Sequence, residues 1–152
     1  MAVEAGQQAP EFDLQVDRET RVRLEDLRGE QNVLLVFHPY SFTGICEAEA
    51  CDIQNSLERY RAADTEVVFV SCDALPVRQA WRKELGHDYV FASDFWPHGA
   101  ASKAYGVFNE DLGCPVRGTF MIGKDGLVKW ALVHDLGERR ESLVEESLAA
   151  VG

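Results

Sequence analysis

The run Val33-Leu34-Leu35-Val36-Phe37 is the longest unbroken apolar stretch in the chain. Its β-branched and aromatic residues, stopped at Pro39, predict a buried strand. The period then changes: from Gly44 to Tyr60, Ile45, Ile53, Leu57 and Tyr60 gather on one side at 3.6 residues per turn, which predicts a helix. Val67 to Ser71 predicts a second buried strand. A helix from about Pro76 to Leu85 follows, with Pro76 suited to a first turn and Gly86 to an end. Phe12 to Val16 and Arg21 to Leu24 flank a polar turn and read as an N-terminal hairpin, Val90 to Ala92 as a short strand, and Pro97 to Tyr105 as a short helix closed by Gly106. Gly118 to Ile122 and Leu127 to Val133, joined by Gly123-Lys124-Asp125-Gly126, read as a second hairpin. A helix from about Arg140 to Ala150 completes the order. Strand and helix alternation ending in a hairpin predicts an α/β sandwich, a mixed central sheet flanked by helices.

Composition changes this picture little. Hydrophobic residues at 46% and charged residues at 27% are ordinary for a folded domain, and the absence of repeats or a Pro/Gly/Ser linker predicts one domain over residues 1–152. The net charge of -11 argues against nucleic acid or an anionic membrane as partner, since both need clustered Lys and Arg. Met1 to Pro10 has neither the cationic start nor the apolar core of a signal peptide, and no run approaches the ~20 apolar residues of a membrane span. A soluble, cytoplasmic protein is expected. In a reducing compartment the four irregularly spaced cysteines read as thiols rather than as a disulfide scaffold. His38, His87, His98 and His134 have no metal-ligand spacing and no glycine motif suggests a nucleotide, so neither metal nor organic cofactor is expected.

Chemistry concentrates around Cys46. It follows Pro39-Tyr40-Ser41-Phe42-Thr43-Gly44-Ile45 directly, which sets it in the first turn of the Gly44 helix. Unpaired N–H groups and the positive end of the macrodipole gather there, and both favour a thiolate over a thiol. Glu49 falls within the apolar stripe one turn later. A carboxylate on a core face needs a cationic or hydrogen-bonding partner, and Arg117, at the entrance of the Gly118 strand, is the best candidate. A guanidinium has five donors, enough to serve a thiolate, a carboxylate and an oxyanion together, although an isolated arginine at a strand end is ordinarily a surface residue. Thr43 suits either a helix cap or a site hydroxyl, and Pro39 either a strand terminator or a shield against water. Lowering a thiol pKa from about 8.5 to about 6 raises its thiolate fraction at pH 7 only ~30-fold, with some loss of nucleophilicity.

At these residues the chain resembles the peroxiredoxins. Their signature is Pro, three residues, Thr or Ser, two residues, then the peroxidatic Cys, with a distant Arg; Pro39, Thr43, Cys46 and Arg117 match it, and Glu49 matches the acidic residue often found after the Cys. Ser93-Asp94-Phe95-Trp96-Pro97-His98-Gly99 and Ala104-Tyr105-Gly106-Val107-Phe108-Asn109 are similar to the actinobacterial alkyl hydroperoxide reductase E group. The resemblance implies a thioredoxin-like fold and reduction of hydrogen peroxide and alkyl hydroperoxides. Cys46 would attack the peroxide, Thr43 and Arg117 would orient both oxygens, and the resulting sulfenic acid would be restored by a thiol. It also implies a homodimer, with the Phe95-Trp96-Pro97 side as interface. A peroxide sensor that alters a partner surface is the alternative; a thioredoxin-like oxidoreductase would need the Cys-x-x-Cys motif that is missing here.

Cys51 departs from that group, which generally has one catalytic cysteine. Five residues after the peroxidatic Cys is the resolving position in many bacterioferritin-comigratory, or Q-type, peroxiredoxins. On the helical wheel Cys51 lies nearly opposite the apolar stripe, so it should face solvent or a cover; simple packing is the competing reading. Residues five apart in an intact helix have Cα atoms about 8.7 Å apart, beyond the ~7 Å limit for a disulfide, so the first turn must unwind before Cys46 and Cys51 can join. Cys114 is an alternative resolving residue and Cys72 reads as strand-end packing. Thioredoxin suits as reductant if a disulfide forms; mycothiol with mycoredoxin suits if the sulfenic acid reacts with a small thiol.

Overall fold

The computed structural model describes residues 1–134 and 142–152. Among these residues seven strands form one mixed sheet, in the spatial order Arg21–Arg23, Asp13–Gln15, Val90–Ser93, Thr65–Ser71, Asn32–Phe37, Arg117–Ile122 and Val128–His134. β1 (Asp13–Gln15) and β2 (Arg21–Arg23) are the expected N-terminal hairpin. Its turn is closed by the Asp17 carboxylate, which accepts from the Glu19 and Thr20 N–H groups at 2.8 and 2.7 Å. A single turn, α1 (Leu24–Leu27), leads to β3 (Asn32–Phe37), the apolar run read first from sequence. β3 pairs in parallel with β4 (Thr65–Ser71) and antiparallel with β8 (Arg117–Ile122). Paired on both sides and covered on both faces, β3 is buried from Val33 to Phe37. Its Leu34 and Val36 enter one core with Phe69, Trp81, Phe91 and Met121, while Val33, Leu35 and Phe37 enter the other with Tyr105 and Phe120.

The predicted Gly44–Tyr60 helix is two helices, α2 (Gly44–Asn55) and α3 (Leu57–Ala62). They break at Ser56, where φ is -112° and ψ 9°. Asn55 and Ser56 are weak helix formers, and the break lets Leu57 and Tyr60 keep their core positions. Tyr60 reaches Ser147 of α6 (Leu143–Ala149), with 2.9 Å between the hydroxyl oxygens. The predicted start of that last helix at Arg140 lies outside the described residues.

α4 (Leu75–Leu85) ends at Gly86, whose φ of 70° closes it as expected, and β5 (Val90–Ser93) follows. The helix expected from Pro97 begins only at α5 (Ala100–Ala104). Gly99 has φ of 73°, outside the right-handed helical region, and the Asp94 carboxylate caps the first turn beyond it through the N–H groups of Ala101 and Ser102. Between α5 and β8 lies a small hairpin that the sequence pattern did not indicate, β6 (Phe108–Asn109) with β7 (Cys114–Pro115). The Gly123–Gly126 turn joins β8 to β9 (Val128–His134). A register shift between Met121 and Ile122 then sets Arg117 opposite His134.

Candidate active site

Cys46 is the third residue of α2 and is completely buried. The segment from Pro39 to Thr43 that carries it into the helix is fixed from several sides. His38 N–H donates to Val70 O, and Ser41 N–H donates to the Asp73 carboxylate at 2.7 Å. Phe42 adopts a left-handed conformation with φ of 61°, which for a bulky residue is strained. Thr43 occupies the N-cap position, but its hydroxyl does not cap. It donates to Tyr40 O at 2.8 Å, so the proton is committed to the loop while the oxygen lone pairs stay available as acceptors. Pro39 is buried at the head of this loop.

Arg117 opens β8 and points its guanidinium across the sheet end. Its Nη1 lies 3.3 Å from Cys46 Sγ and 2.6 Å from Glu49 Oε1. Cys46, Glu49 and Arg117 are each less than 5% exposed, so the ion pair operates with little screening by water. The partner expected for Glu49 is therefore the arginine named from sequence. The second carboxylate oxygen of Glu49 lies 3.6 Å from His134 Nε2, a neighbour that sequence reading missed. The three elements converge for local reasons: Cys46 and Glu49 are one helical turn apart, and the β8–β9 register delivers Arg117 and His134 side by side.

The chain that carries this thiol and guanidinium has clear counterparts among known proteins. The AhpC/TSA family profile matches residues 5–131. Alkyl hydroperoxide reductase E of Mycobacterium tuberculosis is 40% identical over 147 residues, covering 96% of each chain. The chain belongs to the AhpC/TSA family of peroxiredoxins. The chloroplastic 2-Cys peroxiredoxin BAS1 of Spinacia oleracea is 32% identical, over 94% of this chain and 56% of its own length. Among solved structures, AhpC of Enterococcus faecalis superposes with a TM-score of 0.85 at 30% identity, over 99% of this chain and 93% of that one. Reduced 2-Cys peroxiredoxin of Plasmodium vivax gives 0.86 at 27% identity, over 98% and 80%. The thioredoxin-like fold expected from sequence is thus the fold present, and the protein is a thiol-dependent peroxidase.

Beneath the Pro39–Thr43 loop of this peroxiredoxin lies a second cationic layer that sequence reading also missed. Arg78 of α4 is fully buried, and among the described residues no carboxylate is one of its hydrogen-bond acceptors. Nε donates to Ala92 O, Nη2 to Phe69 O, and Nη1 to both His38 Nε2 at 2.7 Å and Ser41 Oγ at 3.0 Å. Burial pushes the guanidinium down to about 10, which still leaves it protonated at neutral pH. His38 stacks on Phe69 at 4.0 Å between ring centroids. Burial first, then the charges of Arg78 and Arg117, hold His38 well below the usual imidazole range, so it is neutral and accepts from Arg78. One sequence signal was available: Arg78 falls three residues before Trp81, on the apolar face of its own helix.

The remaining cysteines divide by environment, and all four are free thiols. Cys72 packs against Ser102 and Asp94, and burial, followed by the Asp94 charge, pushes its thiol up to about 12. It is buried packing, as its place after β4 suggested. Cys114 is buried in β7 and hydrogen-bonds the Tyr40 phenol, which with burial raises Tyr40 above its ordinary value. Cys51 is partly exposed on the far side of α2 and faces His87, so of the solvent or cover expected over it, part is a cover, the loop after α4.

Proposed function

We propose that Cys46 is the peroxidatic cysteine, that Thr43 and Arg117 position the peroxide, and that Pro39 and Glu49 complete the site. The 3.3 Å contact between Arg117 Nη1 and Cys46 Sγ carries this reading. In the reaction, the Cys46 thiolate attacks one peroxide oxygen. The S–O bond forms as the O–O bond breaks, and the leaving oxygen takes up a proton to depart as water or alcohol. Arg117 stabilises the thiolate before attack and the leaving oxyanion after it, while Thr43 Oγ1 accepts a hydrogen bond from the peroxide O–H. Glu49 holds the guanidinium in one orientation through the 2.6 Å ion pair, and Pro39 keeps water from the loop. Hydrogen peroxide and alkyl hydroperoxides are both substrates of this site.

Cys51 is the resolving residue in this reading. Its thiol displaces hydroxide from sulfenylated Cys46 to give an intramolecular disulfide, after the first turn of α2 unwinds. A thiol reductant, thioredoxin or the mycothiol and mycoredoxin pair, then reopens it. In mass spectra of peroxide-treated protein, the expected product is a linked Cys46 and Cys51 peptide. Cys51→Ser should instead accumulate Cys46 sulfenic and sulfinic acid and lose turnover with thioredoxin while keeping its first oxidation rate. If wild type itself leaves Cys46 as sulfenic or sulfinic acid with no linked peptide, an external thiol resolves it and the protein is a one-cysteine peroxidase.

The enzyme acts in the cytoplasm as a single domain over residues 1–152. The continuous seven-stranded sheet supports the second part; toward the first, no helix of the described residues is long and apolar enough to cross a membrane. A second copy of the chain is its partner across the surface around Phe95 and Trp96, which are 49% and 80% exposed. Trp96→Ala should shift sedimentation toward monomer. An unchanged dimer would remove this surface from consideration.

A further inference from the structure

The loop Gly86 to Tyr89 clasps α2 at one point, and Cys51 lies inside the clasp. Gln54 Nε2 donates to the Asp88 carboxylate at 2.8 Å, the Asp88 N–H returns a bond to Gln54 Oε1 at 2.9 Å, and the Tyr89 hydroxyl donates to Ala50 O at 2.7 Å. These contacts hold α2 from Ala50 onward and leave its first turn, which carries Cys46, outside the clasp. Unwinding of that turn therefore leaves Cys51 where it is, with His87 Nε2 3.9 Å from its Sγ.

The Cys51 thiol has a difficulty of its own. Burial, then the charges of Glu47 and Asp52, raise it above the ordinary thiol range, so at neutral pH it is protonated and a weak nucleophile. Some group must take its proton for it to attack. His87 is 8% exposed, is shifted down from the usual imidazole range by burial, and is thus a neutral imidazole at pH 7. Among the described residues its buried Nδ1 has no hydrogen-bond partner, so neither tautomer is held and Nε2 is free to take or return a proton. The same ring lines an open cavity of about 490 Å³ with Asp17, Arg82, Lys83 and Asp88, so solvent reaches its edge.

We propose that His87 is the general base of the resolving step, taking the Cys51 thiol proton as Cys51 Sγ attacks sulfenylated Cys46. This rests on Cys51 being the resolving cysteine. The S–S bond forms as the Cys46 S–O bond breaks. Cys51 sulfur is oxidised, the sulfenic sulfur is reduced, and the departing hydroxide collects a proton from the imidazolium to leave as water. His87 thus touches a reacting atom of the second half-reaction and none of the first.

The test is a single turnover of reduced protein with one equivalent of hydrogen peroxide at pH 6 to 9. Cys46 sulfenic acid is trapped by dimedone and the Cys46 and Cys51 disulfide is quantified by mass spectrometry. His87→Gln and His87→Phe should form the sulfenic acid at the wild-type rate, which also certifies their fold. Disulfide formation at pH 7 should fall at least about tenfold, the low end of general-base effects being larger still. The deficit should close as pH rises and Cys51 ionises unaided. Ionisable groups around His87 are Glu47, Cys51 and Asp52 of α2, Arg82 and Lys83 of α4, Asp17 of the β1–β2 turn, and Asp88 and Tyr89 of its own loop, and all are retained in both variants. Wild-type disulfide rates in both variants, or an equal slowing at every pH, would overturn the role of His87 and leave Cys51 as resolving residue. Absence of the disulfide in wild type would remove both.

Discussion

Arg117→Met should slow peroxide reduction by about 10²- to 10³-fold and lower folding stability by about 3–5 kcal/mol, two losses with separate causes. The first arises because the guanidinium is the cation against Cys46 Sγ, and a donor aimed at developing oxyanion charge in a dry site is worth that much. The second arises because Glu49, 4% exposed, loses its 2.6 Å partner. The causes separate in a double variant. Arg117→Met with Glu49→Leu replaces the buried pair by apolar groups, which is often neutral for stability. Denaturant midpoints should therefore recover toward wild type while stopped-flow oxidation of Cys46 stays slow. Recovery of both would mean that Arg117 acts on the fold alone, and an unchanged oxidation rate in the single variant would remove it from the reaction.

That pair was legible before any coordinates because a carboxylate on an apolar helix stripe needs a cationic partner, and the peroxiredoxin resemblance raised Arg117 above the surface residue that a strand-end arginine ordinarily is. The place of Cys46 in a first helical turn was legible because a strand stopped by a proline is followed at once by a helix start, whereas the backbone of the loop between them was not. His134 was not. Its approach to Glu49 depends on the register shift between Met121 and Ile122, which moves every later residue of β9 by one position and has no sequence marker at the turn. The break of the long helix at Ser56 was hidden because Leu57 and Tyr60 continue the apolar period across it. The sequence leaves two roles open for Thr43. Its hydroxyl turns to Tyr40 O because the left-handed Phe42 folds the loop back over it, a choice of backbone that no propensity favours. Arg78 was within reach, as a charge on the Trp81 face, but its acceptors are strand carbonyls and a histidine rather than an acid, so no charge pattern pointed to it.

Arg78→Leu should cost on the order of 4 kcal/mol, since it strips donors from two strand carbonyls and from His38 and Ser41 in the dry layer below the Pro39–Thr43 loop. The pH dependence of that cost distinguishes lost hydrogen bonds from lost charge. His38 titrates well below its unfolded value of 6.5, so its contribution is complete above pH 6.5. As pH falls below 6.5 the unfolded chain gains a proton that the folded chain refuses, and stability is lost by up to about 1.4 kcal/mol per pH unit. Burial is the larger cause of that refusal and the Arg78 charge the next, so removing Arg78 eases protonation of the folded state. The gap between wild type and Arg78→Leu should therefore narrow in urea titrations taken from pH 7 to pH 5. His38→Phe should flatten the wild-type slope over the same window, leaving the smaller share due to His87, whose titration is also shifted down by burial. A gap that stays constant with pH would mean that burial alone keeps His38 neutral down to pH 5, without the Arg78 charge. A narrowing gap would make it the second positive charge beneath the loop that presents Cys46.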